Sequence, residues 1–180
     1  MLIRSLGGLA VASLCAASLW QIVRPSMPRL LYNPSPSAPI GWYRLHPDTP
    51  FRKGDLVAAW PTQNALDIAL ERQYFPPNIP LIKTVWAVSG EQICHENGQV
   101  YVHGQPPLRV LKQDGLSRPL PSKDGCYVIS KDEVFLISND VQTSFDSRYF
   151  GPVPRGNILG RIDYLGRWKS RSERLEAGRG

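Results

Sequence analysis

Between Arg4 and Arg24 the chain runs for nineteen residues, Ser5–Val23 (SLGGLAVASLCAASLWQIV), without a charged side chain. So long a stretch without charge sets this segment apart from the rest of the chain. As a helix it would be about 28 Å long, close to the roughly 30 Å hydrocarbon core of a bilayer. Trp20, near its end, suits an interfacial anchor. The reading adopted is a single membrane span through residues 5–23, with residues 1–24 as an N-terminal membrane anchor. A cleaved secretory signal is the rival, since Ala16-Ala17-Ser18 supplies small residues for cleavage. A buried soluble helix is the third reading. A lipoprotein signal is disfavoured because bulky Leu14 precedes Cys15. The first two readings send residues 24–180 across a membrane.

The next segment is rich in proline: Pro25, Pro28, Pro34, Pro36 and Pro39 fall within fifteen residues. Each fixes its own φ and biases the preceding residue toward extended backbone, so a stiff connector is expected. Fourteen residues separate Val23 from Ser37. At about 3.1 Å per residue that is a reach of roughly 43 Å, which holds Ser37 close to the bilayer surface.

The remainder reads as a mainly β domain with antiparallel strands and one short helix. Seventeen prolines in 180 residues weigh against a helical bundle. Strand patterns cover Asp55–Trp60 and, more strongly, Leu81–Val88. Gln92–Glu96 and Gln99–His103 flank Asn97-Gly98, which supplies the positive φ angles of a tight hairpin. Cys126–Ser130 and Glu133–Ser138 are expected to pair with each other around Lys131-Asp132. Thr62 or Asn64 can cap a helix in which Leu66, Ala69, Leu70 and Tyr74 recur at helical spacing until Pro76-Pro77. The β-rich domain is set at residues 25–160 and a basic, solvated tail at 161–180.

Charge narrows the partners. The net charge is +6, yet residues 24–160 hold 14 basic and 12 acidic side chains. The excess is peripheral, so nucleic acid is not an expected partner. Known chemical motifs are also scarce. There is no G-x-S-x-G or S-x-x-K serine-hydrolase motif, no phosphate-binding loop and no H-E-x-x-H. Cys94 and His95, adjacent on a strand, point to opposite faces, which argues against shared metal ligation. His95 and His103 are read as surface residues. Neither metal nor cofactor is expected.

Lys83 stands out, being the one lysine of six inside an apolar run. By alternation it shares a face with Leu81, Val85 and Ala87. Loss of solvation lowers the pKa of such an amine and makes it a base near neutral pH. The same residue also suits an edge strand from which it reaches solvent. Ser37 offers it a hydroxyl to deprotonate: Pro36 and Pro39 hold the backbone around it extended, and its own N–H can serve an oxyanion. Ser35, two residues back, would then present a second hydroxyl on the same side. A proline/serine linker with no chemistry is the plainer reading of the same segment.

Three segments decide between these readings. S-A-P-I-G-W-Y at Ser37–Tyr43, I-K-T-V-W-A-V-S-G-E at Ile82–Glu91 and S-F-D-S-R-Y-F-G-P-V-P at Ser144–Pro154 come after one apolar span in that order. Together they resemble the membrane-bound Ser/Lys signal peptidases, most closely their conjugative-transfer, pilin-processing branch. The resemblance implies a signal-peptidase-like antiparallel β-sheet domain behind a single anchor, in the bacterial inner membrane with its catalytic domain on the periplasmic side. It implies Ser37 as nucleophile, Lys83 as general base, Ser35 in the oxyanion hole, Ser144 orienting the lysine amine, and Asp146 and Arg148 buttressing the site. It further implies a pilin precursor as substrate, cleaved after small residues, with the product circularised in some members. The short Ser-Ala-Pro spacing and the run Ser138–Thr143 favour this branch over general signal peptidases, in which the serine stands one residue further from its proline. Thr84 stands where many relatives carry arginine. General removal of signal peptides from exported preproteins is the alternative activity. A non-enzymatic, membrane-anchored assembly protein with a degenerate peptidase fold is the alternative class. Cys94 and Cys126 lie in the exported part and are either disulfide-bonded or free.

Overall fold

The computed structural model describes residues 29–167 apart from Asp48 and Lys123. The expected span at 5–23 lies outside the described residues. Among those described, no helix is long and apolar enough to cross a membrane.

Among the described residues, eleven strands form two antiparallel sheets. They are β1 (Leu30–Asn33), β2 (Gly41–His46), β3 (Leu56–Ala59), β4 (Leu81–Val88), β5 (Gln92–Glu96), β6 (Gln99–Val102), β7 (Leu108–Arg109), β8 (Gly125–Val128), β9 (Glu133–Ile137), β10 (Val153–Pro154) and β11 (Ile158–Gly166). The larger sheet has the order β1-β2-β11-β3-β4-β9-β10 and the smaller β7-β6-β5-β8. The mainly β, antiparallel reading therefore holds.

The local signals that worked are those carried by a single turn. Asn97 (φ 53°) and Gly98 (φ 72°) both take positive φ and close the β5–β6 hairpin. Helix α1 (Gln63–Arg72) starts at Thr62, whose hydroxyl accepts from Ala65 N–H (3.2 Å). It ends at Gln73 in the left-handed region, before Pro76. Its buried face is Ala65 and Ala69, while Leu70 is 44% exposed, so the apolar stripe expected from Leu66 and Leu70 is displaced.

Four expectations are corrected. From Leu30 onward the proline-rich stretch is not an extended connector. Leu30–Asn33 pairs with Gly41–Arg44, and Pro34–Ile40 is the hairpin loop between them, built from bends and turns rather than extended backbone. Second, Cys126–Ser130 and Glu133–Ser138 do not pair. β8 is a largely exposed edge of the small sheet beside β5, whereas β9, buried along four of its five residues, lies between β4 and β10. A strand buried on both faces needs neighbours on both edges, and the chain changes sheet across Ser130–Asp132 to provide them. Third, the domain does not end at residue 160: β11 runs to Gly166, between β2 and β3, with Ile162 in the core. Fourth, His95 is buried, not a surface residue; it stacks on Tyr127 and meets the ring edge of Phe135.

Three apolar clusters hold the sheets. Ile93, Val100, Ile129, Phe135 and Ile137 fill the space between them. Val57, Leu81, Val85, Leu136 and Val153 pack with Ala65 of α1, and Tyr43, Leu45, Ile82 and Ile162 form the third. A bulge opposite Leu136 and Phe135 reverses the alternation of β4 after Val85. Ala87 thereby joins the inter-sheet cluster and leaves the face that Lys83 shares with Leu81 and Val85. Cys94 and Cys126 stand opposite each other on β5 and β8 and form a disulfide.

Candidate active site

The serine loop is held from its ends. The Asn33 side-chain amide donates to the carbonyls of Ser35 (2.8 Å) and Ala38 (3.0 Å), while its Oδ1 accepts from Ser35 N–H (3.0 Å). Tyr43 Oη donates to Pro39 C=O (2.6 Å) and Tyr164 Oη to Ile40 C=O (3.0 Å). At Gly41 (φ 149°) a Cβ would stand 2.5 Å from the Gly166 carbonyl oxygen, so only glycine lets the loop rejoin the sheet there. Ser37 is half-buried on this loop. Ser35 Oγ donates to Ser37 Oγ (3.1 Å) and accepts from Ser37 N–H (3.3 Å). The two hydroxyls expected on one side are thus together, brought there by a turn instead of an extended backbone.

Lys83 is 2% exposed on β4. Its Nζ donates to Ser144 Oγ (2.6 Å) and to Ser138 Oγ (2.8 Å). Burial pushes the Lys83 ammonium down from 10.5 to about 8; the Asp146 carboxylate works against this and Arg148 with it. The edge-strand reading, with the amine in solvent, does not hold. Ser138 is the site residue that sequence reasoning missed. The last pair of the β4–β9 ladder is Thr84↔Ile137, which sets Lys83 across from Ser138 one step on. That register depends on pairing distant segments, so no local signal marks it.

Asp146 and Arg148 are 0% and 3% exposed. Arg148 Nε and Nη2 each donate to a different Asp146 oxygen at 2.8 Å. Asp146 also caps the one-turn helix Ser147–Phe150 and accepts from Ser138 N–H (3.0 Å). Arg148 further donates to the carbonyls of Arg109 (2.9 Å), Val141 (3.3 Å) and Ser144 (3.3 Å). This pair joins the loop that bears Ser138 and Ser144 to the segment at Arg109.

Ser37 and Lys83 line the same two cavities, of about 480 and 520 Å³. They are not hydrogen-bonded to each other: Ser37 is held by Ser35, and Lys83 by Ser138 and Ser144. The first cavity has apolar walls from Ile40, Leu56, Ile82 and Ile137, with Asp140 and Arg167 at its rim. The second runs toward Tyr74, Leu111, Phe145 and Tyr149. Cys94 and Cys126 lie in the other sheet and line neither. Among the described residues no three His, Cys, Asp or Glu side chains converge to hold a metal ion.

A hydroxyl on a pinned loop and a buried amine whose charged form burial disfavours line the same cavities. Residues 2–166 match the family described as "Signal peptidase, peptidase S26", and the chain belongs to that family. Over 137 residues, 71% of this chain, it is 36% identical to the probable conjugal transfer protein TraF of Sinorhizobium fredii, of which 72% is covered. It is 34% identical over the same length to a plasmid transfer protein TraF of Escherichia coli, covering 77% of that chain. It is 31% identical over 112 residues to signal peptidase I of Leptolyngbya laminosa, covering 62% of this chain and 51% of that one.

A base with a pKa near 8 sets the pH dependence of such a site. Were Lys83 the base of a peptidase, cleavage (kcat/KM) would rise with pH along an acid limb centred near 8, because only the neutral amine takes a proton. Rates on an internally quenched peptide with alanines before the scissile bond, between about pH 6 and 11, measure this. An acid limb above 10 would mean an unperturbed lysine.

Proposed function

We propose that this chain is a membrane-anchored serine endopeptidase that processes a pilin precursor for conjugative plasmid transfer and type IV secretion. Ser37 is the nucleophile and Lys83 the general base. The anchor is residues 5–23, in the bacterial inner membrane, with the β-rich domain on the periplasmic side. The observation that carries the chemistry is the buried Lys83 amine, brought down to about 8, in the cavities it shares with Ser37. The similarity to TraF proteins supports the conjugative setting.

Neutral Lys83 takes the Ser37 proton as Ser37 Oγ attacks the substrate carbonyl, and the ammonium returns it to the departing amine. The oxyanion forms beside Ser37 N–H and the Ser35 hydroxyl. In the resting structure those two are bonded to each other, so substrate must displace that 3.3 Å contact. Water then opens the acyl-enzyme, or the substrate's own amino terminus does so and closes a circle. The apolar walls beside Ser37 suit apolar side chains before the cleaved bond.

Incubating a candidate pilin precursor with the detergent-solubilised chain and weighing the product tests this. A shortened pilin is expected, lighter by one water than the linear product where the ends are joined. An unchanged precursor contradicts the reading. The likeness to a signal peptidase I keeps one alternative open: rescue of secretion when the housekeeping enzyme is depleted, without pilin cleavage, would make this a general signal peptidase.

A further inference from the structure

Lys83 Nζ, Ser138 Oγ and Ser144 Oγ form a closed triangle with sides of 2.8, 2.9 and 2.6 Å. We propose that Ser138 is a positioning residue: with Ser144 it accepts both hydrogens of the neutral Lys83 amine and so turns the lone pair toward Ser37. The inference rests on the Ser37/Lys83 reading above.

A neutral primary amine carries two N–H bonds and one lone pair, arranged tetrahedrally with Cε. Were only one hydrogen held, the amine could rotate about its C–N bond and spread the lone pair over several directions. Holding both removes that freedom. The two serine hydroxyls also bond each other, which occupies one hydroxyl hydrogen that would otherwise compete for the lone pair. The lone pair is left to the side of the amine facing the cavity of about 480 Å³, which Lys83, Ser138 and Ser37 line together.

Ser138 is itself fixed. It is buried, it stands across from Lys83 one step beyond Thr84↔Ile137, and its N–H is bound by Asp146 Oδ2 at 3.0 Å. Asp146 therefore reaches the lysine through Ser138 rather than by direct contact. During acylation the proton of Ser37 passes to the lone pair. The resulting ammonium has three N–H bonds, two already accepted by the serines. The third faces the tetrahedral intermediate and gives the proton to the departing amide nitrogen, leaving the Ser37 ester and a free amine.

The test combines Ser138→Ala and Ser138→Thr in the full chain with two readouts. One is cleavage of a quenched peptide with alanines before the scissile bond. The other is titration of the Lys83 side chain by NMR of its ¹³Cε, which needs no substrate. Ser138→Ala should lower kcat about tenfold or more with KM little changed, since one of the two acceptors that fix the neutral amine is lost. The Lys83 titration should move to lower pH, because the ammonium loses that acceptor while the neutral amine loses less. Ser138→Thr keeps the hydroxyl and should recover most of both. The inference is overturned if the Lys83 titration is unmoved in Ser138→Ala, or if Ala and Thr lose activity equally and only in step with lost folded protein. If the titration moves as expected but even the unaltered chain cleaves nothing, Ser138 still holds the Lys83 amine, and it is the peptidase reading, and with it any role in catalysis, that fails.

Discussion

Replacing Lys83 by methionine will abolish cleavage and at the same time make the folded domain more stable. Loss of the base should lower kcat/KM at least about 10³-fold, the scale seen when one member of a catalytic unit is removed. The stability gain comes from linkage. Lys83 has a folded-state pKa of about 8 against 10.5 for the free side chain, so at neutral pH folding must bury an ammonium or release its proton. Because the folded value is the lower one, the unfolded chain binds the proton more tightly, and the penalty is full below about pH 8. It amounts to about 3 kcal/mol, falls as pH rises from 8 toward 10.5, and vanishes above that. Methionine fills similar volume without the charge, and Ser138 and Ser144 retain their bond to each other. Denaturant melts of both proteins at neutral pH and above pH 10.5 measure it: a gain near pH 7 that disappears at high pH is expected. A methionine variant that still cleaves, or that is less stable at pH 7, contradicts the account.

Asp146→Ala should have the opposite sign on stability. Asp146 accepts two bonds from the Arg148 side chain, one from Arg148 N–H and one from Ser138 N–H, all in the interior. Without the carboxylate, Arg148 is a buried cation whose remaining partners are three carbonyls and the face of the Tyr149 ring. Breaking one side of such a pair costs about 3–5 kcal/mol. A fall in Tm on the order of 10 °C is expected for a domain of this size. Arg148→Met in the Asp146→Ala background should recover part of it, since no unpaired charge then remains. A melt within a degree or two of the unaltered protein would mean the pair is solvated in solution. Activity should also fall in Asp146→Ala, through the loosened Ser138.

What the sequence made visible were features settled by a few neighbouring residues. Thr62 marked the start of α1 and Asn97-Gly98 the hairpin. The apolar run around Lys83 left burial and a solvent-reaching edge position both open, and the lysine is buried. What it hid depends on pairing at a distance. β8 and β9 look like a hairpin locally, but their edges are satisfied by β5 in one sheet and by β4 and β10 in the other. The proline loop looked extended because Asn33, which folds it through three short contacts, carries no motif. Arg161 and Asp163 gave the start of the tail a solvated look, while Ile162 between them was already the inward residue of a strand. His95 shares its strand face with Ile93, an alternation that was there to be read. Ser138 had no such mark. It acts in the site only because β4 and β9 pair in one register and not the next.

The central claim is that Ser37, activated by Lys83, cuts a precursor chain. Its most direct test is product formation by the solubilised full-length protein and by Ser37→Ala, monitored by mass spectrometry on the same pilin precursor at about pH 8, the range where Lys83 becomes neutral. The account predicts a shortened pilin with the unaltered protein and none with Ser37→Ala, which should melt at nearly the same temperature because it loses a half-buried hydroxyl and its bond to exposed Ser35. Cleavage by Ser37→Ala at the unaltered rate would show that another group is the nucleophile.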